Sequence, residues 1–352
     1  MNLSANYSIL STLNNTSARA QGSLESTLTS RWTSLVIVNI IAEIAALFMN
    51  SFLVGLFIRD KNVQTAFNVY ITNLCVVNIG YVLQHFPITL FNEWTPSVYK
   101  AKEFCVLQRT LSRTFGALIV QSHFLIAMNR LWAITSPVTY RNYHQLHSVL
   151  RPALVCLILW IWVILVSGIP GIVFDVWRPH TVAEAIRCFP GSVNPLYWQR
   201  TTQLVVNDIP ILITLLIYPY ICYRTWKDLK VRPANVGPQP PTLRTGDETT
   251  TAPAQAKRPV DHGQLAEPSQ RQKRAARIGQ QFFTLSLLVL NVAVLQLPTQ
   301  VFHTLLTFGL SSFGSPMVRV VTVLYSLTSV LDPIMFLVSI KTFRHAARTY
   351  FC

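Results

Sequence analysis

The chain has 352 residues, of which 51% are hydrophobic and 12% charged, with a formal net charge of +15. A soluble domain carries roughly 25% charged residues, so the composition excludes an ordinary soluble protein. The positive charge does not favour nucleic-acid binding, because the basic residues lie between long apolar runs rather than on one face. Six cysteines in this length do not form a disulfide framework, and three of them lie within the apolar runs.

Seven apolar stretches are long enough to cross a bilayer as helices, since a span needs about 20 such residues. They lie at 32–58, 66–91, 104–132, 150–174, 200–225, 277–308 and 316–340. The predicted fold class is therefore all-α, a bundle of seven transmembrane helices over residues 32–340. The third and sixth stretches are the most polar, and polar residues in a span are expected to face the bundle interior.

Basic residues predict which ends of the spans face the cytoplasm. From 224 to 277 there are eleven Lys and Arg against five Asp and Glu, and the tail after 340 is basic without an acid. An excess of Lys and Arg marks the cytoplasmic side, so we expect a plasma-membrane protein with its N-terminus outside. Segment 1–31 agrees, because it holds four glycosylation acceptor sequences. They start at Asn2, Asn6, Asn14 and Asn15.

Two segments outside the spans have distinctive compositions. The segment at about 228–272 has seven prolines and almost no large apolar residues, which predicts a disordered cytoplasmic loop. Residues 341–352 place apolar and basic side chains at helical spacing, which predicts an amphipathic helix lying on membrane lipids. Cys352 is a candidate for palmitoylation there, with a plain thiol as the alternative.

Landmark residues run through all seven spans in a fixed order. They are Asn50, Asn73-Leu74, Cys105, Arg130, Trp160, Pro170, Pro210, Tyr218, Pro298 and the run Asp332-Pro333-Ile334-Met335-Phe336. Their order and spacing resemble the rhodopsin-like (class A) family of G-protein-coupled receptors. The resemblance implies a receptor with an extracellular ligand, heterotrimeric G proteins and arrestin as partners, without cofactor, metal or nucleic acid. We also expect Cys105 and Cys188, both on the oxidising outer side, to form a disulfide.

The resemblance assigns a switch to the inner ends of the spans. Arg130 corresponds to the arginine that meets the G protein when the sixth helix swings outward, and Tyr218 and Phe336 belong to the same switch. The alternative for Arg130 is an anchor at the membrane interface. The chain departs from the family here, because Asn129 replaces the acid before this arginine and Phe336 replaces a tyrosine. Ligand-free activity is therefore expected if the protein signals.

A polar layer of Asn50, Asn78 and Asp332 is also implied, and it departs from the family as well. Asn78 stands where the second helix usually has Asp, and Asp332 stands where the seventh usually has Asn. Gonadotropin-releasing hormone receptors show a similar exchange. Ile119 replaces the serine that helps to bind sodium in the third helix, which puts a sodium site in doubt.

Aligned positions argue against two ligand classes. Amine receptors of the family need an Asp where this chain has Ser112, and opsins need a Lys where it has Ser326. The residues expected at the ligand are Arg109, Ser112, Arg113, Asp208, Gln296, His303 and Arg319. We interpret them as a basic cavity for a carboxylate, either a small acid or a peptide terminus. In the alternative, Arg113 and Asp208 pair with each other and have a structural role only.

Three function classes remain. A ligand-activated receptor leads. A receptor-fold protein that does not signal alone, a decoy or dimer partner, is favoured by the neutral Asn129 and by Gln296, which replaces the tryptophan of the sixth helix. A transporter is disfavoured by the odd number of spans and the lack of an internal repeat. An enzyme is not expected, because no catalytic constellation is visible.

Overall fold

The computed structural model describes residues 34–94, 101–145, 149–177, 188, 197–231, 287, 290–311 and 317–351. In these ranges the secondary structure is helical and includes no strand. Seven long helices are labelled in chain order: α1 Ser34–Arg59, α2 Ala66–Trp94, α3 Lys102–Thr135, α4 Leu150–Trp177, α5 197–231, α6 290–307 and α7 Met317–Ser339. Two shorter helices, Pro137–Gln145 and Lys341–Phe351, follow α3 and α7.

Helices α1 to α5 and α7 are each long and apolar enough to cross a bilayer, with mean hydropathy from 1.3 to 2.5 over their most apolar stretch. Helix α6 is described only from residue 290, so the first part of the predicted sixth span lies outside the described residues. The all-α fold class is confirmed. Helix α5 continues to residue 231, past the predicted start of the loop at about 228. The glycosylation sites, the rest of that loop and Cys352 also lie outside the described residues.

Helix α3 is the central helix of the bundle. It packs against α2, α4 and α5, while α1 packs against α2 and α7. In its most apolar stretch 56% of α3 is buried, against 28% of α4, so polar residues on α3 meet other helices more often than lipid. This placement explains how α3 can carry several charged and polar side chains within a membrane span.

Three spans contain a wide π-helical segment, and each segment ends two residues before a proline. The pairs are Ile164–Gly168 with Pro170 in α4, Gln203–Asp208 with Pro210 in α5, and Val292–Gln296 with Pro298 in α6. Proline has no backbone N–H, and its ring clashes with the carbonyl of residue i−4. The preceding turn therefore widens instead of continuing the regular hydrogen-bond pattern. A wide turn redirects the side chains that lie on it, and such turns are frequent at functional sites.

The predicted amphipathic helix is confirmed at Lys341–Phe351. Phe343, Ala346 and Ala347 are buried, while Arg348 on the other face is exposed. The helix is joined to the inner end of α1 by a hydrogen bond and a cation–π contact between Arg59 and Tyr350. Its apolar face thus packs on the bundle and its basic face is left at the surface.

The predicted disulfide is confirmed and fixes the naming of the two ends of the bundle. Cys105, near the start of α3, is bonded to Cys188, and their Cα atoms are 4.8 Å apart. We call the end of the bundle that carries this disulfide the outer end, and the opposite end, with Arg130 and the Lys341–Phe351 helix, the inner end. The disulfide holds the chain after α4 one helical turn above Arg109.

Candidate ligand-binding site and switch

Two arginines of α3 share one carboxylate of α4 in the outer half. Arg109 Nε lies 3.3 Å and Arg113 Nη2 lies 3.6 Å from the same Asp175 oxygen, Oδ2. The exposed fractions of the side chains are 2% for Asp175, 6% for Arg109 and 28% for Arg113. Arg109 and Asp175 therefore form a buried ion pair, and Arg113 is the more accessible cation of the cluster.

Arg113 is positioned by a glycine on one side and an aromatic ring on the other. A Cβ atom at Gly171 of α4 would collide with the Arg113 guanidinium, so only glycine leaves room for it. The guanidinium also lies over the Trp198 ring of α5, 5.8 Å from its centroid, a distance at which a cation is attracted to the ring face. Phe174 meets Trp198 nearly edge-on. Arg113 is thus held between α4 and α5.

Asp175 is the residue that the sequence interpretation missed. The alternative that paired Arg113 with Asp208 is wrong, because the carboxylate that pairs with Arg113 is Asp175. A usable signal was present, since Asp175 is the only acid in the α4 sequence. An ionisable residue in a span needs a partner, and the outer half of α3 carries two cations, Arg109 and Arg113.

Asp208, at the end of the π-helical segment of α5, is surrounded by neutral donors. Its Oδ1 accepts hydrogen bonds from Thr304 Oγ1 at 2.9 Å, Gln203 Nε2 at 3.0 Å and Gln300 Nε2 at 3.4 Å. Its Oδ2 is buried and has no hydrogen-bond partner among the described residues. The ion pairs of the described chain do not include Asp208, so its hydrogen-bond donors there are all neutral.

Gln296 lies one turn below Gln300 on α6, at the end of the second π-helical segment. It is 1% exposed, and neither its amide nitrogen nor its amide oxygen has a partner in the described part of the chain. Gln300 is 6% exposed and reaches Asp208. Gln300 therefore links α6 to Asp208 of α5, and Gln296 follows one turn below Gln300 on the same helix.

Three further predicted ligand residues are Ser112, His303 and Arg319. Ser112 Oγ donates to Gln84 Oε1 of α2 at 3.0 Å and accepts from Gln108 Nε2 at 3.3 Å. His303 is exposed on α6, and Arg319 is half-buried near the outer end of α7. Ser112 is thus already engaged by neutral amides rather than by a charge.

The polar layer in the middle of the bundle is built around Asp332. Its Oδ1 accepts from Asn291 Nδ2 at 2.7 Å, and its Oδ2 lies 3.1 Å from His123 Nε2 and 3.4 Å from Asn78 Nδ2. Asn78 also donates to Asn50 Oδ1 at 3.4 Å. His123 and Asp332 are 1% and 0% exposed, so the contact between them is buried inside the bundle.

At the inner end, the arginine that the sequence analysis predicts to be the switch contacts an aromatic ring. Arg130 Cζ lies 3.4 Å from the centroid of the Phe67 ring of α2. Its neighbour Asn129 accepts a hydrogen bond from the Tyr140 hydroxyl at 3.1 Å. Burial raises the pKa of Tyr140 above its ordinary value of 10.0, so this hydroxyl stays protonated and donates. Asn129 is therefore used to hold the short helix after α3.

The remaining switch residues are fully buried. Tyr218 and Phe336 are both 0% exposed, and the Tyr218 hydroxyl has no hydrogen-bond partner in the ranges that the structure describes. Phe336 has no hydroxyl that could bridge to it. The basic residues expected at the foot of the sixth helix, Lys273, Arg274 and Arg277, lie outside the described residues.

Seven spans, an outer disulfide and a buried polar layer define a multi-pass membrane protein of the seven-helix receptor class. The model of the family "7 transmembrane receptor (rhodopsin family)" matches residues 49–336. The chain therefore belongs to the rhodopsin family of seven-transmembrane receptors, which are receptors rather than enzymes.

Two curated relatives are similar to more than half of this chain. The histamine H4 receptor of Homo sapiens is 25% identical over 204 residues, which cover 57% of this chain and 49% of the relative. Dopamine receptor 2 of Drosophila melanogaster is 27% identical over 211 residues, 58% of this chain and 36% of the relative. The matched part thus spans half of each relative or less.

Proposed function

We propose that this protein is a plasma-membrane receptor that binds an extracellular ligand in its outer half and activates heterotrimeric G proteins at its inner end. The observation that carries the proposal is the family match over residues 49–336, which includes the switch arginine Arg130. The N-terminus is outside in this proposal, because the basic loop and tail then lie in the cytoplasm. Membrane lipids contact the spans, and arrestin binds the phosphorylated third inner loop.

The ligand carries a carboxylate, as in a small acid or a peptide terminus. Supporting this, Arg109 and Arg113 both contact the Asp175 carboxylate and place two guanidinium groups side by side in the outer half. Arg113 is the accessible member of the cluster, with 28% of its side chain exposed. A guanidinium offers paired donors that match the two oxygens of a carboxylate. Arg113 is therefore the proposed anchor, with Arg109 behind it.

The named relatives are receptors for histamine and dopamine, which are amines. In the family, amine receptors use an Asp of the third helix, and this chain has Ser112 at that position, bonded to Gln84. An amine held on α3 is therefore not the proposed ligand. The relatives support the receptor class here rather than the ligand.

Ligand-free signalling is part of the proposal. Asn129 is neutral and occupied by Tyr140, so Arg130 lacks the adjacent acid that holds it in the family. An exposed charge pair is worth about 0.2–1 kcal/mol. The Phe67 contact of Arg130 offsets part of this loss, since a cation–π contact contributes about 0.5–1 kcal/mol at exposed sites. The active population is then raised several-fold at most.

The test is a second-messenger measurement in cells across several G-protein classes, first without ligand. We expect a basal signal that Asn129→Asp lowers and Arg130→Ala abolishes at equal surface expression. Arg348→Ala, at an exposed arginine of the last helix, is the matched control and should leave the signal unchanged. A protein that is silent with every G-protein class, and that Asn129→Asp does not alter, is the non-signalling decoy or dimer partner instead.

A further inference from the structure

We infer that Phe67, in the first turn of α2, holds Arg130 in the ligand-free state, so that G-protein activation requires the guanidinium to leave this ring. An aromatic ring thus takes the role that a carboxylate has where an arginine is held by an ion pair. The Lys341–Phe351 helix fixes the turn that carries the ring and so affects the same contact. This inference rests on the proposed function, because that proposal assigns Arg130 to the activation of G proteins.

The first argument is the geometry of the contact. Arg130 Cζ lies 3.4 Å from the centroid of the Phe67 ring, well inside the roughly 6 Å within which a ring face attracts a cation. The other cation–π contacts of the described chain are longer, from 4.8 to 5.8 Å. Both side chains are half-buried, and removal from water strengthens such a contact. Arg130 therefore lies closer to a ring than the other cations in these contacts.

The second argument is that no carboxylate in the described chain pairs with Arg130. The ion pairs there do not include it, and its Nε is buried without a hydrogen-bond partner among the same residues. The titratable groups that act on it electrostatically are the phenols of Tyr140 and Tyr218. Asn129, the preceding residue, is neutral and accepts a hydrogen bond from Tyr140. Within the described residues, the Phe67 ring is therefore the group that retains the guanidinium.

The third argument is that hydrogen bonds fix the turn that carries Phe67. The backbone N–H of Asn68 donates to Thr65 Oγ1 at 3.3 Å, and its side-chain Nδ2 donates to the Val63 carbonyl oxygen at 2.7 Å. The same Nδ2 donates to Thr342 Oγ1 of the last helix at 3.3 Å. Asn68 is 2% exposed, so its amide is largely shielded from water. The ring is therefore held in place and does not follow the guanidinium when the guanidinium moves.

The bond to Thr342 connects this contact to the last helix. That helix buries Phe343 against the bundle, and its Tyr350 binds Arg59 of α1. Its first turn thus meets α2, while its last turn meets α1. Loss of the Thr342 hydroxyl would remove one of the bonds that fix the α2 turn, so the ring would gain freedom and the contact would weaken. The last helix therefore acts on Arg130 through α2.

The experiment replaces Phe67 by phenylalanines with one, two and three ring fluorines and measures ligand-free second-messenger signalling at equal surface expression. Each fluorine withdraws electron density from the ring face and weakens its attraction for a cation, while the size of the side chain changes little. The signal should rise with each fluorine, by roughly threefold to tenfold for the trifluorinated ring, the range that such a cation–π contact contributes. Phe67→Trp, with the ring that attracts cations best, should lower the signal.

The matched control is the same fluorinated series at Phe57 of α1. Phe57 is also half-buried, and the cation–π contacts of the described chain do not include it. Fluorine at this position should leave the ligand-free signal unchanged.

A second measurement, the melting temperature of the purified full-length protein, does not depend on signalling. The fluorinated series at Phe67 should lower this temperature stepwise while Arg130 is present, because each step weakens a contact of the folded state. In the Arg130→Gln background the same series should have no effect.

Thr342→Val tests the connection to the last helix, because valine keeps the shape of threonine without its hydroxyl. The variant should raise the ligand-free signal about twofold, at the low end of the effect of one neutral hydrogen bond. Thr349→Val is the control, since the Thr349 hydroxyl bonds within its own helix, and it should change nothing. Equal signals from both valine variants would reject the connection to the last helix.

The outcomes separate this inference from the proposed function. A measurable ligand-free signal that stays flat across the fluorinated series at Phe67 overturns the inference and leaves the proposed function standing. If the protein is silent with every G-protein class, the proposed function fails. A stepwise fall in melting temperature that requires Arg130 would then still show that Phe67 holds Arg130, whereas a flat melting temperature would reject that contact too.

Discussion

Two carboxylates of the outer half, Asp175 on α4 and Asp208 on α5, have opposite surroundings. Asp175 is 2% exposed and faces two guanidinium groups. Asp208 accepts hydrogen bonds only from neutral side chains in the described chain, and one of its oxygens accepts none. Within the described residues, Asp175 therefore has cationic partners, whereas Asp208 has neutral donors on one oxygen only.

The difference separates a carboxylate that lies in an ion pair from a carboxylate that is bound by neutral donors in the described chain. A buried charge whose partner is removed destabilises a protein by about 3–5 kcal/mol, so the two carboxylates are expected to contribute differently to stability. The following predictions test the two sites against each other, from the largest expected effect to the smallest.

The largest effect is expected from the disulfide that covers the Arg109 and Asp175 side of the outer end. Cys105 and Cys188 are 83 residues apart in sequence, and closing a loop of that length stabilises a protein by about 4–5 kcal/mol in the chain-entropy model. Cys105→Ser and Cys188→Ser should each sharply reduce surface expression, measured by flow cytometry on an N-terminal tag. Cys222→Ser, at a cysteine outside this bond, is the control. Normal expression of both single variants would contradict the prediction.

Asp175→Asn should have the next largest effect. It leaves Arg109 buried without its counter-charge, so we expect a loss of about 3–5 kcal/mol, seen as a lower melting temperature of the purified protein. The double variant with Arg109→Gln should lose less stability than the two single variants lose together, because both changes remove the same interaction. Strict additivity would show that Arg109 and Asp175 are not coupled.

Substitution by lysine should have different effects at Arg109 and at Arg113. Arg109→Lys alters a buried ion pair and should lower the free energy of unfolding by about 1–3 kcal/mol. The loss should appear as a lower melting temperature. Arg113→Lys alters a side chain that is 28% exposed, so stability should change by less than about 1 kcal/mol. Its effect should instead appear as weaker binding of carboxylate ligands, because lysine lacks the paired donors of a guanidinium. Equal effects on stability would argue against a division of roles.

Gly171→Ala should have the smallest effect on stability and a measurable one on binding. The added Cβ collides only with the tip of the Arg113 side chain, which is flexible, so the arginine shifts at a cost below about 1 kcal/mol. Binding of a carboxylate should weaken because Arg113 leaves its position. Gly55→Ala on α1, where no atom lies within 4 Å of the added Cβ, is the matched control and should leave binding unchanged. If both alanine variants bind alike, Gly171 does not position Arg113.

The sequence was sufficient to predict the fold because membrane burial imposes a strong pattern. A span needs about 20 apolar residues, and the polar segments between them carry the basic charge. The landmark residues indicated the family, and the family resemblance implied the disulfide between Cys105 and Cys188. Helix α6 is described only from residue 290, whereas its predicted span starts at 277.

The partners of the polar residues were not predictable in the same way. Hydropathy gives the position of a residue along a span but not its rotation relative to the next helix, so Asp175 was not connected to Arg109 and Arg113. The π-helical turns before Pro210 and Pro298 change that rotation again. The contacts of Arg130 with Phe67 and of Asp332 with His123 were missed for the same reason.

The most direct test of the contrast is the ligand-free melting temperature of Asp208→Asn, measured beside Asp175→Asn. Asparagine is nearly isosteric with aspartate and keeps an oxygen for the three donors that reach Asp208. Because it removes a buried charge that the described chain leaves uncompensated, we predict a rise of several degrees for Asp208→Asn, at about 2–4 °C per kcal/mol, and a fall for Asp175→Asn. A fall of similar size for both variants would contradict the account, because Asp208 would then be as structural as Asp175.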